Sequence, residues 1–258
     1  MLHDRRMHAS TITPLEACRR ITADRPAFHW DGKLRWDVST GTLEHLAGLV
    51  RPGMRTLEIG LGVSTVVLAA NPDGHHTAVG ISAHEFELIT QYCRQIGVDL
   101  ERTTFLQGPS DRVLPSVSGT FDLVLIDGAH AFPFPIVDWH YAGRLVPVGG
   151  LLILDDLPIP TVQVLHRFLI TDPAWELVQL VDSRAATYRR VKEVTEGDLW
   201  KEQTVNKTYP NYRFLTPWPR TLVTTRRRLA RSKSVRAALR RHPRVQTAVD
   251  RALRRFLG

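Results

Sequence analysis

The stretch RTLEIGLGVST, residues 55–65, decides the fold. A short apolar run leads to Glu58, and then Gly60 and Gly62 follow two residues apart before a second apolar run begins. This order is typical of a buried β-strand that passes through a tight glycine loop into a helix. Because glycine has no side chain, such a loop lets a ligand approach the backbone closely. The stretch therefore predicts a ligand site at the carboxyl end of a strand.

The spacing of the glycines narrows the class of ligand. A dinucleotide loop would have a third glycine where this chain has Thr65, and the Gly-Lys-Ser/Thr of a phosphate loop is absent. The acid, Glu58, precedes the glycines, and no acid ends the second predicted strand, as NAD binding would require. The loop therefore indicates a ligand without pyrophosphate, with amino-acid and ribose parts. Glu58 is suited to neutralise the ammonium of such a ligand, directly or through water.

Length and composition indicate one full-sized domain. The chain has 258 residues, of which 43% are hydrophobic. No apolar run approaches the roughly 20 residues of a membrane span, and the first residues lack the apolar core of a secretory signal. Two cysteines, Cys18 and Cys93, do not make a disulfide framework. These features predict a protein of the reducing cytoplasm.

The chain after the first 36 residues, which we expect to be irregular, alternates strands with helices. The strands are apolar throughout, which indicates a mostly parallel sheet covered on both faces. Further strands are expected at 76–82, 102–108, 121–128 and 151–157, a closing hairpin at 175–182 and 185–192, and helices at 38–50, 85–98 and 134–150.

Polar or glycine residues end the parallel strands. Since the carboxyl ends of parallel strands meet at one edge, where ligands bind in such sheets, these residues are expected to share a site. They are Glu58, Ser82, Gly108, Asp127 and Asp155.

A family resemblance covers about residues 38–192 and rests on four segments in order. These segments are LEIGLGVST, LQGPSDRVLP, FDLVLIDGAH and PVGGLLILDDL. The chain resembles the class I S-adenosylmethionine (SAM)-dependent methyltransferases, and among them the catechol O-methyltransferase type and bacterial small-molecule O-methyltransferases. The resemblance implies a Rossmann-like α/β fold. Its sheet would be doubly wound, mostly parallel and seven-stranded, with a C-terminal antiparallel hairpin.

The resemblance also implies roles around the cofactor SAM. Gly60 and Gly62 would line it, Ser64 would hold its methionine carboxylate, and Gly108 and Ser110 would lie by its adenine. Asp127 would help to position it in a version without metal.

One position departs from the family pattern. The family ends the second strand with an acid that binds the ribose hydroxyls, and this chain has Ile81 or Ser82 there. Ser82 offers one hydrogen bond in place of a bidentate carboxylate contact.

Three carboxylates, Asp127, Asp155 and Asp156, end two strands predicted to be adjacent. Oxygen ligands suit Mg²⁺, and the equivalent places in the catechol-type enzymes, two Asp and one Asn, bind it. There the metal grips two substrate oxygens and lowers the pKa of a hydroxyl. In the alternative, Asp155 and Asp156 cap the start of the following helix.

His130 follows Asp127 by three residues, at the offset where the catechol-type enzymes have a general-base lysine. A histidine suits proton abstraction near neutrality, because its ordinary pKa is about 6.5. In the alternative, His130 is a loop residue that hydrogen-bonds Asp127 for structural reasons.

The basic charge is concentrated in the tail. Residues 220–258 hold 13 Lys and Arg against one acid, Asp250, whereas the rest is mildly acidic. The apolar face of a helix over 243–258 would dock on the body or on a second chain as a homodimer. Alternatively it would lie on an anionic membrane, at the inner surface. Nucleic acid is the weakest partner, because the tail lacks interleaved aromatics.

The sequence thus divides into an N-terminal extension (1–37), a SAM-binding domain (38–192), a substrate-covering segment (193–219) and a basic tail (220–258). We expect a SAM-dependent O-methyltransferase acting on a small hydroxylated metabolite (a sugar, a phenol or a natural product), with a divalent cation and His130 as base. The alternatives are a metal-independent methyltransferase, a nucleic-acid-binding or RNA methyltransferase that acts through the tail, and a cofactor-binding module without catalysis.

Overall fold

The computed structural model describes residues 12–29, 37–193 and 203–207. The chain divides into two compact units, residues 1–199 with 203–205 and residues 200–202 with 206–258. The predictions for the basic tail lie outside the described residues, as do most of those for the covering segment. Within the described ranges, no helix is long and apolar enough to cross a membrane.

Strands and helices alternate through most of the first unit, after two N-terminal helices. The strands are β1 (Arg55–Ile59), β2 (His75–Gly80), β3 (Thr103–Gln107), β4 (Leu123–Ile126), β5 (Leu151–Leu154), β6 (Trp175–Val181) and β7 (Ala185–Arg190). The helices are α1 (Pro14–Asp24), α2 (Thr40–Leu49), α3 (Val63–Ala69), α4 (Ala83–Ile96), α5 (Ser110–Val113), α6 (Phe134–Ala142), α7 (Pro160–Leu169) and α8 (Thr204–Lys207).

The seven strands form one sheet in the order β3-β2-β1-β4-β5-β7-β6. The first five are parallel, and β7 runs antiparallel to both β5 and β6. This confirms the predicted doubly wound sheet with its closing hairpin. The strand order reverses beside β1, so the ends of β1 and β4 flank the crevice where open α/β sheets bind ligands.

Each face of the sheet carries its own apolar core. One core packs α1 to α4 against Leu123 and Leu125, and the other packs α6 and α7 against Val124 and Ile126. All four residues lie in β4 and are 3% exposed or less. A strand buried on both faces needs no polar alternation, which explains the apolar runs in the sequence.

The expectation that residues 1–36 are irregular is wrong for part of that range. Helix α1 begins at a capping box, in which the Glu16 backbone N–H donates to the Thr13 hydroxyl and the Glu16 carboxylate accepts from the Thr13 backbone N–H. Ala17 and Ile21 then enter the core. The N-terminal residues that the structure describes are thus part of the domain's hydrophobic core.

Three predicted boundaries also need correction. Strand β2 ends at Gly80, and Ser82 instead caps α4, accepting from the Glu85 backbone N–H at 3.2 Å. Helix α4 ends before Gly97, whose φ of 84° suits a left-handed helix cap. Helix α6 ends at Ala142 and not near residue 150, because a 3₁₀ turn, Gly143–Leu145, follows it.

Candidate active site

At the first of its two glycines, the loop after β1 has a backbone that other residues would not tolerate. Gly60 has a φ of 110°, and a Cβ there would lie 2.2 Å from the backbone oxygen of Asp127. At Gly62 a Cβ would meet nothing closer than Asp37 Oδ1, at 3.9 Å. The loop therefore packs against the end of β4 on one side and leaves open backbone on the other, as a cradle for a ligand requires.

Glu58, predicted to face the ligand, lies inside the protein. Its side chain is 1% exposed, and its carboxylate accepts a hydrogen bond from the Ser64 hydroxyl. The second oxygen lies 3.4 Å from His76 Nε2, and His76 Nδ1 shares a 2.8 Å hydrogen bond with Thr56. In this structure Glu58 and Ser64 bind each other, and their predicted cofactor contacts stay predictions.

Gly108 and Ser110, predicted to lie by the adenine, follow β3. Gly108 has a φ of 147°, and Ser110 is the first residue of α5. Ser82 caps α4 through its oxygen, so its hydroxyl hydrogen can still be donated. The structure thus keeps these residues at the carboxyl ends of β2 and β3, the edge predicted for the ligand.

Asp127, His130 and Asp156 form a cluster at the carboxyl ends of β4 and β5. One ligand atom from each lies within 4.8 Å of the other two. His130 Nε2 is 3.3 Å from Asp156 Oδ2 and 3.7 Å from Asp127 Oδ1. The predicted cation set differs from this cluster in one member, since it has Asp155 where the structure has His130.

Asp155 is not a member of this cluster and is paired with an arginine. Its side chain is fully buried, and Asp155 Oδ2 lies 3.4 Å from Arg184 Nε. Arg184 Nη2 also lies 3.0 Å from Asp156 Oδ1. Neither aspartate caps α7, whose N-cap is Ile159. The helix-capping alternative is therefore wrong.

Arg184 is the residue that sequence reasoning missed. It lies in the turn between β6 and β7, and no motif in the surrounding sequence marks it as catalytic. It reaches the aspartates because β7 pairs with β5, with Leu154 opposite Ala186. The predicted hairpin and sheet order together would have placed this turn at the same edge.

Burial and mutual repulsion raise the pKa values of two of the carboxyl groups. The pKa of Asp127 is raised well above its ordinary value, first by burial and then by the charges of Asp155, Asp156 and Glu58. Burial raises the pKa of Asp155 to about 6, against the opposing effect of Arg184. The site therefore favours any positive charge that enters it.

His130 is held neutral by its surroundings. Burial lowers its pKa, the Arg184 charge lowers it further, and the Asp156 charge opposes both. A neutral imidazole at this place can accept a proton, and the imidazolium so formed would be stabilised by the Asp156 carboxylate. The side chain is 29% exposed although its Nε2 is buried, so a substrate would meet another part of the ring.

Residues 57–157 match the family model described as "Methyltransferase domain". None of the curated proteins matches the chain. Rv0187 from MTB, solved with cofactor bound, is 22% identical with a TM-score of 0.56, over 69% of this chain and 88% of that one.

Two further solved structures are similar. The O-methyltransferase TomG from Streptomyces achromogenes, involved in tomaymycin synthesis and solved with SAM, is 19% identical with a TM-score of 0.53, over 69% of this chain and 90% of that one. An O-methyltransferase from Bacillus cereus in complex with SAH is 17% identical, with the same TM-score and coverage. Residues 57–157 thus match a methyltransferase domain, and the sheet has the Rossmann-like α/β fold of these methyltransferase structures.

Proposed function

We propose that the chain is a SAM-dependent O-methyltransferase acting on a small hydroxylated metabolite (a sugar, a phenol or a natural product), and that His130 accepts the proton of the acceptor hydroxyl. The observation that carries the proposal is the position of His130. It lies between Asp127 and Asp156, on the loop whose first residue packs against Gly60. The proton acceptor and the predicted cofactor loop are therefore neighbours.

The glycine loop fits the cofactor. Gly62 leaves the backbone open where a bound molecule would rest, and Gly60 holds the loop against β4. When bound, SAM supplies a methyl group on a sulfonium, which is reactive without further activation. The chain's residues then need to align the acceptor oxygen with that methyl group and to exclude water.

Proton transfer falls to His130. Its lowered pKa keeps the imidazole free to accept a proton at neutral pH. The Asp156 carboxylate, 3.3 Å away, would stabilise the imidazolium after transfer. Asp156 and Asp127, which lies 3.7 Å away, would also hold the ring in place.

A divalent cation fits the same edge, and we include it in the proposal. Asp127 and Asp156 would hold it beside His130, whereas Asp155 is occupied by Arg184. The ion would lower the pKa of an acceptor hydroxyl. In the metal-independent alternative, Arg184 alone compensates the aspartate charge, which its 3.0 Å contact with Asp156 favours.

The similar structures support oxygen as the acceptor atom. TomG and the Bacillus cereus protein are both O-methyltransferases, and the first takes part in making a natural product. The substrates of those two proteins are not assigned to this chain, and its acceptor has to be identified by a screen.

The test combines binding and turnover in the purified full chain. Calorimetry with SAM and S-adenosylhomocysteine (SAH) is expected to show binding in the wild type. Transfer of labelled methyl groups from SAM to a panel of sugars, phenols and polyketides, with Mg²⁺ or with a chelator, identifies the acceptor. We expect His130→Gln to lower kcat by about 10²- to 10⁴-fold, the usual value of a general base, while SAM affinity is unchanged.

The matched control is His140→Gln. His140 lies on α6, is exposed, hydrogen-bonds Arg144 and packs against the Tyr141 ring. It should leave kcat unchanged. The proposal fails if the wild type binds neither SAM nor SAH at millimolar concentration, or if His130→Gln turns over as fast as the wild type.

A further inference from the structure

The glycine loop itself offers no reachable carboxylate for a cationic ligand. Glu58 is 1% exposed, one of its oxygens accepts from Ser64, and the other is buried 3.4 Å from His76 Nε2. Ser64 and His76 would both have to move before the Glu58 carboxylate could contact a ligand. SAM and SAH each carry an ammonium, which binds best to an ionised acceptor.

Asp37 supplies a carboxylate at the mouth of the loop. Its Oδ1 is the atom nearest to the open side of Gly62, 3.9 Å from the position of a Cβ there. The side chain as a whole is 16% exposed, and Oδ1 is a buried atom without a hydrogen-bond partner within the described part of the chain. An ionised carboxylate has about four acceptor sites, so Asp37 retains capacity for a ligand.

The backbone around Asp37 is fixed at two points. Arg184 Nη2 donates to the Asp37 carbonyl oxygen at 3.2 Å, and the Ser39 hydroxyl donates to Asp182 Oδ2 at 3.1 Å. Both partners come from the β6–β7 turn. Ser39 also caps α2, since it accepts from the Thr42 backbone N–H at 3.0 Å. Asp37 is thus held on the open side of the glycine loop.

His29 contacts the side chain of Asp37 at the same oxygen, Oδ1. His29 Nε2 lies 3.7 Å from Asp37 Oδ1, and His29 Nδ1 lies 3.3 Å from Glu85 Oε1, in the first turn of α4. Contact with Asp37 raises the pKa of His29, with Glu85 contributing in the same direction. The imidazole therefore ties the chain after α1 to the cofactor edge.

We propose that Asp37 binds the ammonium group at the methionine end of the cofactor, and that His29 is a positioning residue that orients its carboxylate. The inference rests on the proposed function, because it takes SAM as the ligand. It assigns the ammonium to a residue outside the glycine motif, from a segment that precedes α2.

The experiment compares three ligands that differ at the relevant group. SAM and SAH carry the ammonium, whereas methylthioadenosine has the same adenosine thioether without the amino-acid part. Calorimetry on Asp37→Asn is expected to show SAM and SAH bound at least about tenfold more weakly, since hydrogen bonds to charged groups are the stronger kind. The affinity for methylthioadenosine should be unchanged.

Methylthioadenosine also reports on folding, because a misfolded variant would lose all three ligands; Asp37→Ser would then be measured instead. The control is Glu87→Gln, the same acid-to-amide change on the exposed side of α4, which should affect no ligand. His29→Gln should weaken SAH and spare methylthioadenosine. Adding it to Asp37→Asn should produce no further loss if His29 acts through Asp37.

The outcomes distinguish a failure of the proposed function from a failure of the Asp37 assignment. If the wild type binds none of the three ligands, the proposed function fails. If the wild type binds them and Asp37→Asn binds SAH equally well, the assignment of Asp37 is overturned. A loss for SAM without a loss for SAH would also overturn it, because the contact would then be to the sulfonium.

Discussion

Arg184 changes the chemistry of the aspartates around it. Two of the three carboxylates at the strand ends lie 3.0 and 3.4 Å from its guanidinium. Asp155 is completely buried, and a buried carboxylate without a partner costs several kcal/mol, on the order of 3–5. Arg184 thus stabilises the fold and also sets how much negative charge is left for a cation or for His130.

We predict that Arg184→Gln destabilises the protein by about 2 kcal/mol at neutral pH. This is below the roughly 3–5 kcal/mol of a fully buried pair because the Arg184 side chain is 33% exposed. Added Mg²⁺ or Mn²⁺ should recover part of the loss by replacing the missing charge. Urea unfolding with and without the ion measures both effects.

Arg189→Gln is the matched control from the same hairpin. Arg189 meets Glu176 at 3.9 Å, and both side chains are about half exposed. Its loss should cost under about 0.5 kcal/mol and should not respond to the ion. Equal losses in the two variants would show that Arg184 has no special role.

The residues of the candidate site differ in how visible they are from sequence. Asp127, His130 and Asp156 follow apolar strands, so strand ends alone bring them to one edge. Arg184 and Asp37 could not be found by that reasoning, because their positions depend on strand pairing and on the hydrogen bond from Arg184 to the Asp37 carbonyl oxygen. Burial of Glu58 was equally hidden, since its partner His76 belongs to another strand.

At the scale of elements, the glycine loop is the feature with the least freedom. Gly60 combines a φ of 110° with close packing against the Asp127 backbone. Any side chain there must push β1 and β4 apart at their carboxyl ends. The strain would fall on the edge where the cofactor is proposed to bind.

Gly60→Ala is therefore expected to lower stability by at least about 2 kcal/mol and to weaken SAH binding more than tenfold. Gly48→Ala is the control, because Gly48 lies exposed in α2 and a Cβ there meets nothing within 4 Å. That change should raise stability by up to about 1 kcal/mol. Thermal unfolding and calorimetry measure the pair, and a tolerated Gly60→Ala would contradict the strain argument.

Elements were predictable where periodicity and burial agree. The five parallel strands and the hairpin appear where apolar runs predicted them. Helix α1 was overlooked although its signals, Thr13, Pro14 and Glu16, are present in the sequence. Three arginines and an aspartate follow them, so the buried stripe of Ala17, Cys18 and Ile21 is narrow and easily overlooked.

Across the whole molecule, several buried carboxyls carry a cost that depends on pH. Besides Asp127 and Asp155, Asp138 on α6 is such a group. It is fully buried, and neither of its oxygens has a hydrogen-bond partner among the described residues. Burial raises its pKa to about 6, with Ser110 opposing and Asp111 adding to the shift. Such a group binds its proton more tightly in the folded state than in the unfolded state. Its contribution to stability is therefore lost as the pH rises from about 4 to about 6.

Asp138→Asn removes this titration while keeping the shape of the side chain. The shift of about two pKa units corresponds to about 2–3 kcal/mol. We expect the stability of the variant relative to the wild type to improve by about that amount between roughly pH 4 and pH 7. Asp111→Asn, at the exposed neighbour, should show no such change. Urea unfolding at the two pH values measures the difference, and a constant offset would mean that Asp138 ionises normally because a polar partner or water satisfies it.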